Sequence, residues 1–413
     1  MPGFSRANGN LTCDGVPLSA IADAAGTPIY VYSRALIEEN FRRFDDAFSP
    51  VPHLVCYATK ANSNLALLRL LAAAGAGADV VSGGELRAAL LCGFPAERIV
   101  FSGVGKTDDE IRFGLEKGIL AFNAESEREI EKIDEAAGRL GLTARLALRV
   151  NPDIDSKSHP YISTGLKHNK FGVDISGALQ LYESSRRLPN VRMTGIQAHI
   201  GSQITDPAPL GETARELAAL ASELLQRGFP LETLDVGGGI GIGDAGSSGL
   251  SAEEYAAAIL PAVAGLPLRI LLEPGRAIVG PAGVLVTRVL YRKKNGDKEF
   301  VVTDAGMNDL IRPALYGAIH SIEPVGPPAD NRLVADVVGP ICETSDFFAR
   351  DADLPLPAEG DLLAIRDAGA YGFAMSSNYN FRARAAEVLV EDGRFRIVRR
   401  RETFDDLIRL ERE

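Results

Sequence analysis

The sequence has 413 residues, 46% of them apolar, and its 44 Lys and Arg are outnumbered by 55 Asp and Glu, a formal net charge of −11. A chain of this length buries sizeable cores and suits two or three domains, while its acidity is a poor match for a phosphate backbone or an anionic lipid surface, which argues against nucleic acid and membrane as partners. The polar residues 1–10, the absence of an unbroken apolar run of membrane-spanning length, and four cysteines (Cys13, Cys56, Cys92, Cys342) with no Cys-x-x-Cys pair lead us to expect a cytoplasmic chain without a secretory signal, a disulfide framework or a metal centre.

Along the chain, Pro28–Tyr32 reads as a strand. Eight short apolar runs rich in Val, Ile and Leu follow: Leu54–Tyr57, Asp79–Val81, Ile99–Ser102, Ile119–Phe122, Ala144–Val150, Gly195–His199, Thr233–Val236 and Arg269–Glu273. Between them lie stretches with apolar residues at helical spacing, among them Asn64–Ala74, Gly84–Leu91, Glu125–Leu140 and Gly211–Arg227. Eight alternating strand–helix units spanning about 240 residues point to a (β/α)8 TIM-type barrel over 33–279, where six units would suit an open sheet.

After Gly280 the texture turns to short β-rich runs, Val284–Tyr291, Glu299–Thr303, Asp361–Ile365 and Ala386–Val390. Asp392-Gly393 before Arg394–Val398 is a tight-hairpin signal. Residues 1–32 and 280–413 are therefore expected to form one discontinuous, mostly β domain, and Thr403–Arg412 a closing amphipathic helix.

A barrel carries its site at the C-terminal ends of its strands. Lys60 follows the first strand and reads either as a solvated loop lysine or as a Schiff-base amine. The turns Gly237-Gly238-Gly239 and Pro274-Gly275 offer backbone N–H groups to an anion, or serve as tight turns only. The run Gly241-x-Gly243-x-x-Gly246 has the form of a dinucleotide fingerprint but not its context, since three glycines precede it and no helix opens directly after the strand. His199 and Ser202 follow the sixth strand, and His199 alone reads equally as a core histidine. Glu273 ends the eighth strand, beside the first in a closed barrel, where its carboxylate either meets an arginine or holds a proton on a heterocycle nitrogen. The long loop 151–172 carries Lys157, His159, Lys167, His168 and Lys170, a basic island or a lid. In the β-rich part, Cys342 sits beside Glu343 and Asp346, a setting that disfavours a thiolate and suits a neutral proton donor. Arg312 and Tyr316 stand one turn apart, and Tyr371 lies in the Gly-flanked turn Gly369–Gly372.

Taken together, YATKANSN, GADVVSGGEL, FSGVGKT, NPDIDSKSHPYISTGLKHNKFG, HIGSQ, DVGGGIGI, EPGRAIV, DAGMNDLIRPALY, VGPICETSDF, GAYGFAMSSNYN and RRRETFDDL, in that order along nearly the whole chain, resemble the diaminopimelate decarboxylases, pyridoxal-phosphate enzymes with an alanine-racemase-like barrel. The resemblance implies that the second domain is Greek-key barrel-like and that Lys60 holds pyridoxal phosphate as a Schiff base. It implies that His199 stacks on the ring, Glu273 pairs with the pyridine nitrogen, and Ser202, Gly238, Gly239, the Glu273-Pro274-Gly275-Arg276 turn and Tyr371 hold the phosphate. Arg276, Arg312 and Tyr316 would hold the distal carboxylate of the amino-acid substrate and Glu343 its distal ammonium. Cys342 would come from the second subunit of a head-to-tail homodimer and supply a proton. The activity implied is conversion of meso-2,6-diaminopimelate to L-lysine and CO2. The rivals are an amino-acid racemase, opposed by Glu273 and the Cys342–Glu343 pair, a decarboxylase for a related substrate, and a non-catalytic binding protein, opposed by the presence of Lys60 and Cys342.

Overall fold

The computed structural model describes residues 3–155, 170–243 and 249–412, which fall into two compact units, 41–243 with 249–275, and 3–40 with 276–412. Lys157, His159, Lys167 and His168 of the expected basic loop, and Gly246 of the fingerprint-like run, lie outside the described residues. Among the described residues, no helix is long and apolar enough to cross a membrane.

The first unit is a closed ring of eight parallel strands: His53–Ala58, Gly77–Val80, Ile99–Phe101, Ala121–Ala124, Ala144–Asn151, Val191–Gln197, Thr233–Asp235 and Arg269–Leu272, the eighth pairing back onto the first. Register sets what the interior contains. Leu271 lies opposite Leu54, Ala58 opposite Asp79, Arg149 opposite Gln197, and Gln197 opposite Asp235. With alternating side-chain direction, the interior is apolar at one level, where Leu54, Cys56, Val100 and Leu271 pack together. Toward the C-terminal strand ends it is polar, with Asp79, Asn123, Arg149, Gln197, Asp235 and Glu273 all buried.

The helices around the ring start where the sequence supplies caps. Thr107 with Glu110 and Ser251 with Glu254 form reciprocal capping boxes, and Ser82, Ser126 and Asn64 each accept a backbone N–H. Several expected boundaries move, and three show why. The fourth strand starts at Ala121, not Ile119, because the Ile119 N–H closes the preceding helix on Gly114 and the Leu120 N–H is taken by the carbonyls of Ala96 and Ile99. The sixth runs Val191–Gln197 instead of Gly195–His199; His199 leaves the ladder and enters the following loop. The C-terminal helix covers only Phe404–Ile408: Thr403 and Asp406 cap its start, but Leu410, 90% exposed, has nothing to pack against.

In the second unit Ile29–Ser33, wholly buried, is central to a mixed sheet. It pairs antiparallel with Gly283–Asn295 and parallel with Ala386–Glu391. The order is Phe347–Pro355, Arg332–Val338, Lys298–Thr303, Gly283–Asn295, Ile29–Ser33, Ala386–Glu391, Arg394–Arg399, with Leu362–Ile365 branching from Gly283–Asn295. The hairpin signal is met: Asp392 and Gly393 take φ of 51° and 70°. The core under this sheet joins Leu11, Leu18 and Ile21 to Ile29, Val31, Val284, Val286, Val388 and Val390.

Lys106, its side chain 1% exposed, ties the ends of the third and fourth barrel strands together. Its ammonium donates to the carbonyls of Gly103 (2.8 Å) and Asn123 (2.9 Å) and to Glu129 Oε1 (2.7 Å). Removing one member of a buried ion pair strands the other charge. Lys106→Ala is therefore expected to cost about 3–5 kcal/mol in urea unfolding, whereas Arg112→Ala, which breaks exposed pairs with Asp109 and Glu116, should leave the midpoint in place.

Candidate active site

The site is built from what each barrel strand delivers at its C-terminal end. The first strand ends in a single helical turn, Thr59–Ala61, fixed by the Thr59 hydroxyl, which donates to the carbonyl of Asp79 and to Glu85. That turn carries Lys60, one-third exposed, whose Nζ donates to Oδ2 of the fully buried Asp79 at 2.7 Å. The lysine is thus a paired amine at the mouth of the barrel and not a solvated loop residue.

Glu273, just past the eighth strand, is 3% exposed. Its Oε1 accepts from Asn123 Nδ2 of the fourth strand (3.3 Å) and its Oε2 from Gln197 Nε2 of the sixth (3.1 Å). Burial, then the nearby Asp235 and Asp79 carboxyls, push its pKa well above the usual carboxyl range. Asp235, on the seventh strand, is pushed up to about 7, first by burial, against the pull of the Gly237 N–H that donates to it at 2.9 Å. Three buried carboxyls thus lie near one ammonium; Asp79 is paired with it, while Glu273 and Asp235 retain protons that free carboxyls would release.

His199 keeps part of its ring exposed yet lies deep among barrel atoms. Burial, with the cations Lys60 and Arg149 close by, holds the imidazole well below the usual histidine range. Its Nδ1 accepts the N–H of Gly238 at 3.2 Å, so the neutral ring carries its proton on Nε2. The triple-glycine turn is stitched on every side. The Gly237 carbonyl accepts from Glu273 N–H (2.7 Å) and the buried Tyr255 hydroxyl (3.2 Å), and the Gly239 carbonyl accepts from Ile204 N–H (3.0 Å). Space dictates glycine here: a Cβ on Gly238 would lie 2.0 Å from the carbonyl oxygen of Glu273, and one on Gly239, at φ +89°, 2.1 Å from that of Gly201. Ser202 stands half-buried in the loop that packs on this turn, and the Pro274 carbonyl accepts the Ala58 N–H, closing the eighth strand's end against the first.

A second buried ion pair braces the fifth strand. Arg149 Nη1 donates to Glu125 Oε1 at 3.0 Å, and Glu125 also accepts the backbone N–H groups of Gly103 and Gly172.

In the β-rich unit the arginines cluster. Arg276 and Arg312 are both buried; the Arg276 guanidinium lies 4.7 Å from the Tyr371 ring centroid, and Arg312 Nε donates to His320 Nε2 at 3.4 Å. Burial, followed by the Arg312 and Arg276 charges, holds His320 at about 4 despite its Arg366 carbonyl partner, so two cations stand beside a neutral imidazole. Tyr371 is itself at φ 55°, and Tyr316 ends the short helix begun by Arg312. Cys342 and Glu343 occupy another loop. Cys342 is exposed, and its backbone N–H donates to Asn380 Oδ1 at 2.8 Å. Glu343 accepts from the Tyr379 hydroxyl (2.7 Å) and the Ser345 hydroxyl (3.0 Å), which hold its carboxyl below the usual range.

Lys60, His199, Glu273, Gly238 and Gly239 thus meet at one end of the barrel. Sequence reading passed over Asp79, Asn123, Asp235, Arg149 and His320. A signal existed for three of them: a carboxyl or amide within an apolar strand run, as in Gly77–Val80, Ala121–Ala124 and Thr233–Asp235, has to be satisfied inside the barrel.

The donor set fits pyridoxal phosphate. Lys60 offers an amine to an aldehyde, Glu273 a buried carboxyl to a ring nitrogen, His199 a flat neutral face, and the glycine turn a close backbone approach for an anion. Among the described residues, the buried oxygens Asp79 Oδ1 and Gln197 Oε1 have no hydrogen-bond partner. Fold and site together define a barrel enzyme of the pyridoxal-phosphate class. The family model described as pyridoxal-dependent decarboxylase, pyridoxal binding domain, matches residues 34–280. The chain is 50% identical to the diaminopimelate decarboxylase of Pseudomonas aeruginosa over 407 residues, 98% of each chain, and 48% identical to that of Aquifex aeolicus over 408 residues, 98% of this chain and 97% of the other. The solved Helicobacter pylori diaminopimelate decarboxylase complexed with L-lysine superposes with a TM-score of 0.93 at 45% identity, covering 95% of this chain and 99% of that one. The chain belongs to the diaminopimelate decarboxylase family.

The carboxyl cluster has a pH signature. Folded Asp235 holds a proton up to about 7, whereas the unfolded chain releases it near the ordinary 3.8. The cluster therefore favours the fold fully below about pH 4, and this contribution is lost as pH rises through 7. In cofactor-free protein, Asp235→Asn should flatten the decline of the urea midpoint between about pH 4 and 7; an unchanged slope would place the proton elsewhere.

Proposed function

We propose that this chain decarboxylates meso-2,6-diaminopimelate to L-lysine and CO2, the last step of lysine biosynthesis, with pyridoxal phosphate bound through Lys60. The observation that carries the reading is the proton-holding carboxyl of Glu273 beside the Lys60–Asp79 pair. A partner of this kind favours a deep electron sink, where an arginine there would suit racemisation. When bound, the cofactor supplies that sink for the electron pair left as the Cα–carboxylate bond breaks.

The chain's own groups do the rest. Glu273 keeps a proton at the ring nitrogen, and neutral His199 offers a flat surface without repelling a cation. Ser202, Gly238, Gly239, the Glu273-Pro274-Gly275-Arg276 turn and Tyr371 hold the phosphate. Residues 33–279 act as the cofactor-binding domain, and 1–32 with 280–413 form the β domain that contributes to the active site of the dimer interface. Arg276, Arg312 and Tyr316 bind the substrate's distal carboxylate; the Arg276–Arg312 pair around neutral His320 supports this, being doubly cationic. Glu343 takes the distal ammonium. A site that needs both signs discriminates against ornithine, which has no distal carboxylate to pair with the arginines. The Cys342 thiol, contributed by a second copy in a homodimer, gives its proton to Cα after CO2 leaves. The chain works in the cytoplasm.

Purified protein incubated with pyridoxal phosphate and meso-diaminopimelate should yield L-lysine and CO2 on chiral amino-acid analysis. If protein that visibly carries cofactor forms no lysine, the substrate assignment falls. Lys60→Ala should lose the visible band of bound cofactor. Cys342→Ala should keep that band and slow turnover by about 10²-fold or more. Mixing the two inactive variants should restore part of the activity if the thiol acts across subunits; no recovery would put Cys342 in its own chain's site.

A further inference from the structure

We propose that Asn123 and Gln197 are positioning residues that clamp the Glu273 carboxyl from two barrel strands and set its orientation toward the cofactor's ring nitrogen, an inference that rests on the reading of Glu273 given above. Each amide donates to a different oxygen of the same carboxyl, at 3.3 and 3.1 Å, so the group cannot rotate about its Cγ–Cδ bond without losing both contacts. All three side chains are buried. Asn123 is itself fixed, since the same Nδ2 donates to the Ser102 hydroxyl at 3.0 Å.

The barrel interior also packs apolar side chains at comparable positions. One level away the same kind of position is filled by Leu54, Val100 and Leu271. Gln197 occupies its place at a cost, because its Oε1 is buried without a hydrogen-bond partner. An apolar side chain of similar size would fill the space with no such loss. What Gln197 contributes in return is one N–H aimed at Glu273.

The chemistry suits amides better than any charged group. An amide donor stabilises the ionised carboxyl against the opposing push of burial and of Asp235 and Asp79. It also stays neutral at every working pH, so the clamp does not open as the carboxyl cluster titrates. Arginine or lysine here would fix Glu273 as a permanent ion pair and withdraw it from the ring nitrogen.

Gln197→Met, close in volume, and Asn123→Leu test the clamp. The readouts are the dissociation constant for pyridoxal phosphate and the visible absorption of the bound cofactor between about pH 6 and 9, with thermal melting followed alongside. Losing a hydrogen bond to the buried carboxyl should weaken cofactor binding about tenfold and move the pH midpoint of the absorption change, while the cofactor-free melting temperature stays close to that of the parent. Unchanged affinity and an unmoved midpoint in Gln197→Met would overturn the proposal. Glu273→Gln separates the two levels. If it leaves the band and its pH dependence untouched, the reading of Glu273 itself fails; if it changes them and Gln197→Met does not, only the positioning role fails. Should Asn123→Leu not fold, Gln197→Met together with Gln197→Ser decides the matter.

Discussion

Burying Glu273 among Asp79 and Asp235, with Lys60 as the ammonium at hand, sets the terms for the rest of the barrel mouth. An isolated carboxylate in such surroundings is too costly to keep ionised, so the cluster holds protons, and every neighbouring group is arranged around that fact. Asp79 is committed to Lys60, Asp235 to the Gly237 N–H, and both oxygens of Glu273 to amides. His199, hemmed in by Lys60 and Arg149, stays neutral and takes its tautomer from the Gly238 N–H. The glycine turn is therefore more than a gap for an anion: it links the carboxyl cluster, the histidine and the eighth strand through its own backbone.

Around this polar centre two internal ion pairs do the structural holding. Lys106–Glu129 and Glu125–Arg149 cross-link the ends of consecutive barrel strands by bonding backbone carbonyls and N–H groups as well as each other. Their place at the C-terminal rim is physically apt. That rim cannot be sealed by apolar packing without closing the site, so charge-assisted hydrogen bonds take the role that leucine and valine play lower in the ring.

The β-rich unit solves a different problem, holding several charged side chains in fixed positions. Arg276 and Arg312 are held close to a histidine kept neutral first by its burial and then by their charges. Glu343, by contrast, is exposed and has both oxygens tied by Tyr379 and Ser345, while the adjacent Cys342 backbone is tied to Asn380. Pre-fixing side chains in this way lowers the conformational entropy that ordering them would otherwise cost.

The sequence by itself determined the alternation of eight strands and helices, the Asp392-Gly393 hairpin and the motif order that marks the family, because these depend on local periodicity and backbone preference. It also singled out Lys60, His199 and Glu273, which lie at strand ends where position alone confers meaning. Strand limits slipped where a competing backbone partner ended a ladder, as at Leu120. Only the tertiary structure decided that Asn123 of the fourth strand and Gln197 of the sixth meet Glu273 after the eighth, and that Asp79 pairs with Lys60. Those contacts join residues up to 150 positions apart, and barrel closure and register, not any local pattern, bring them together.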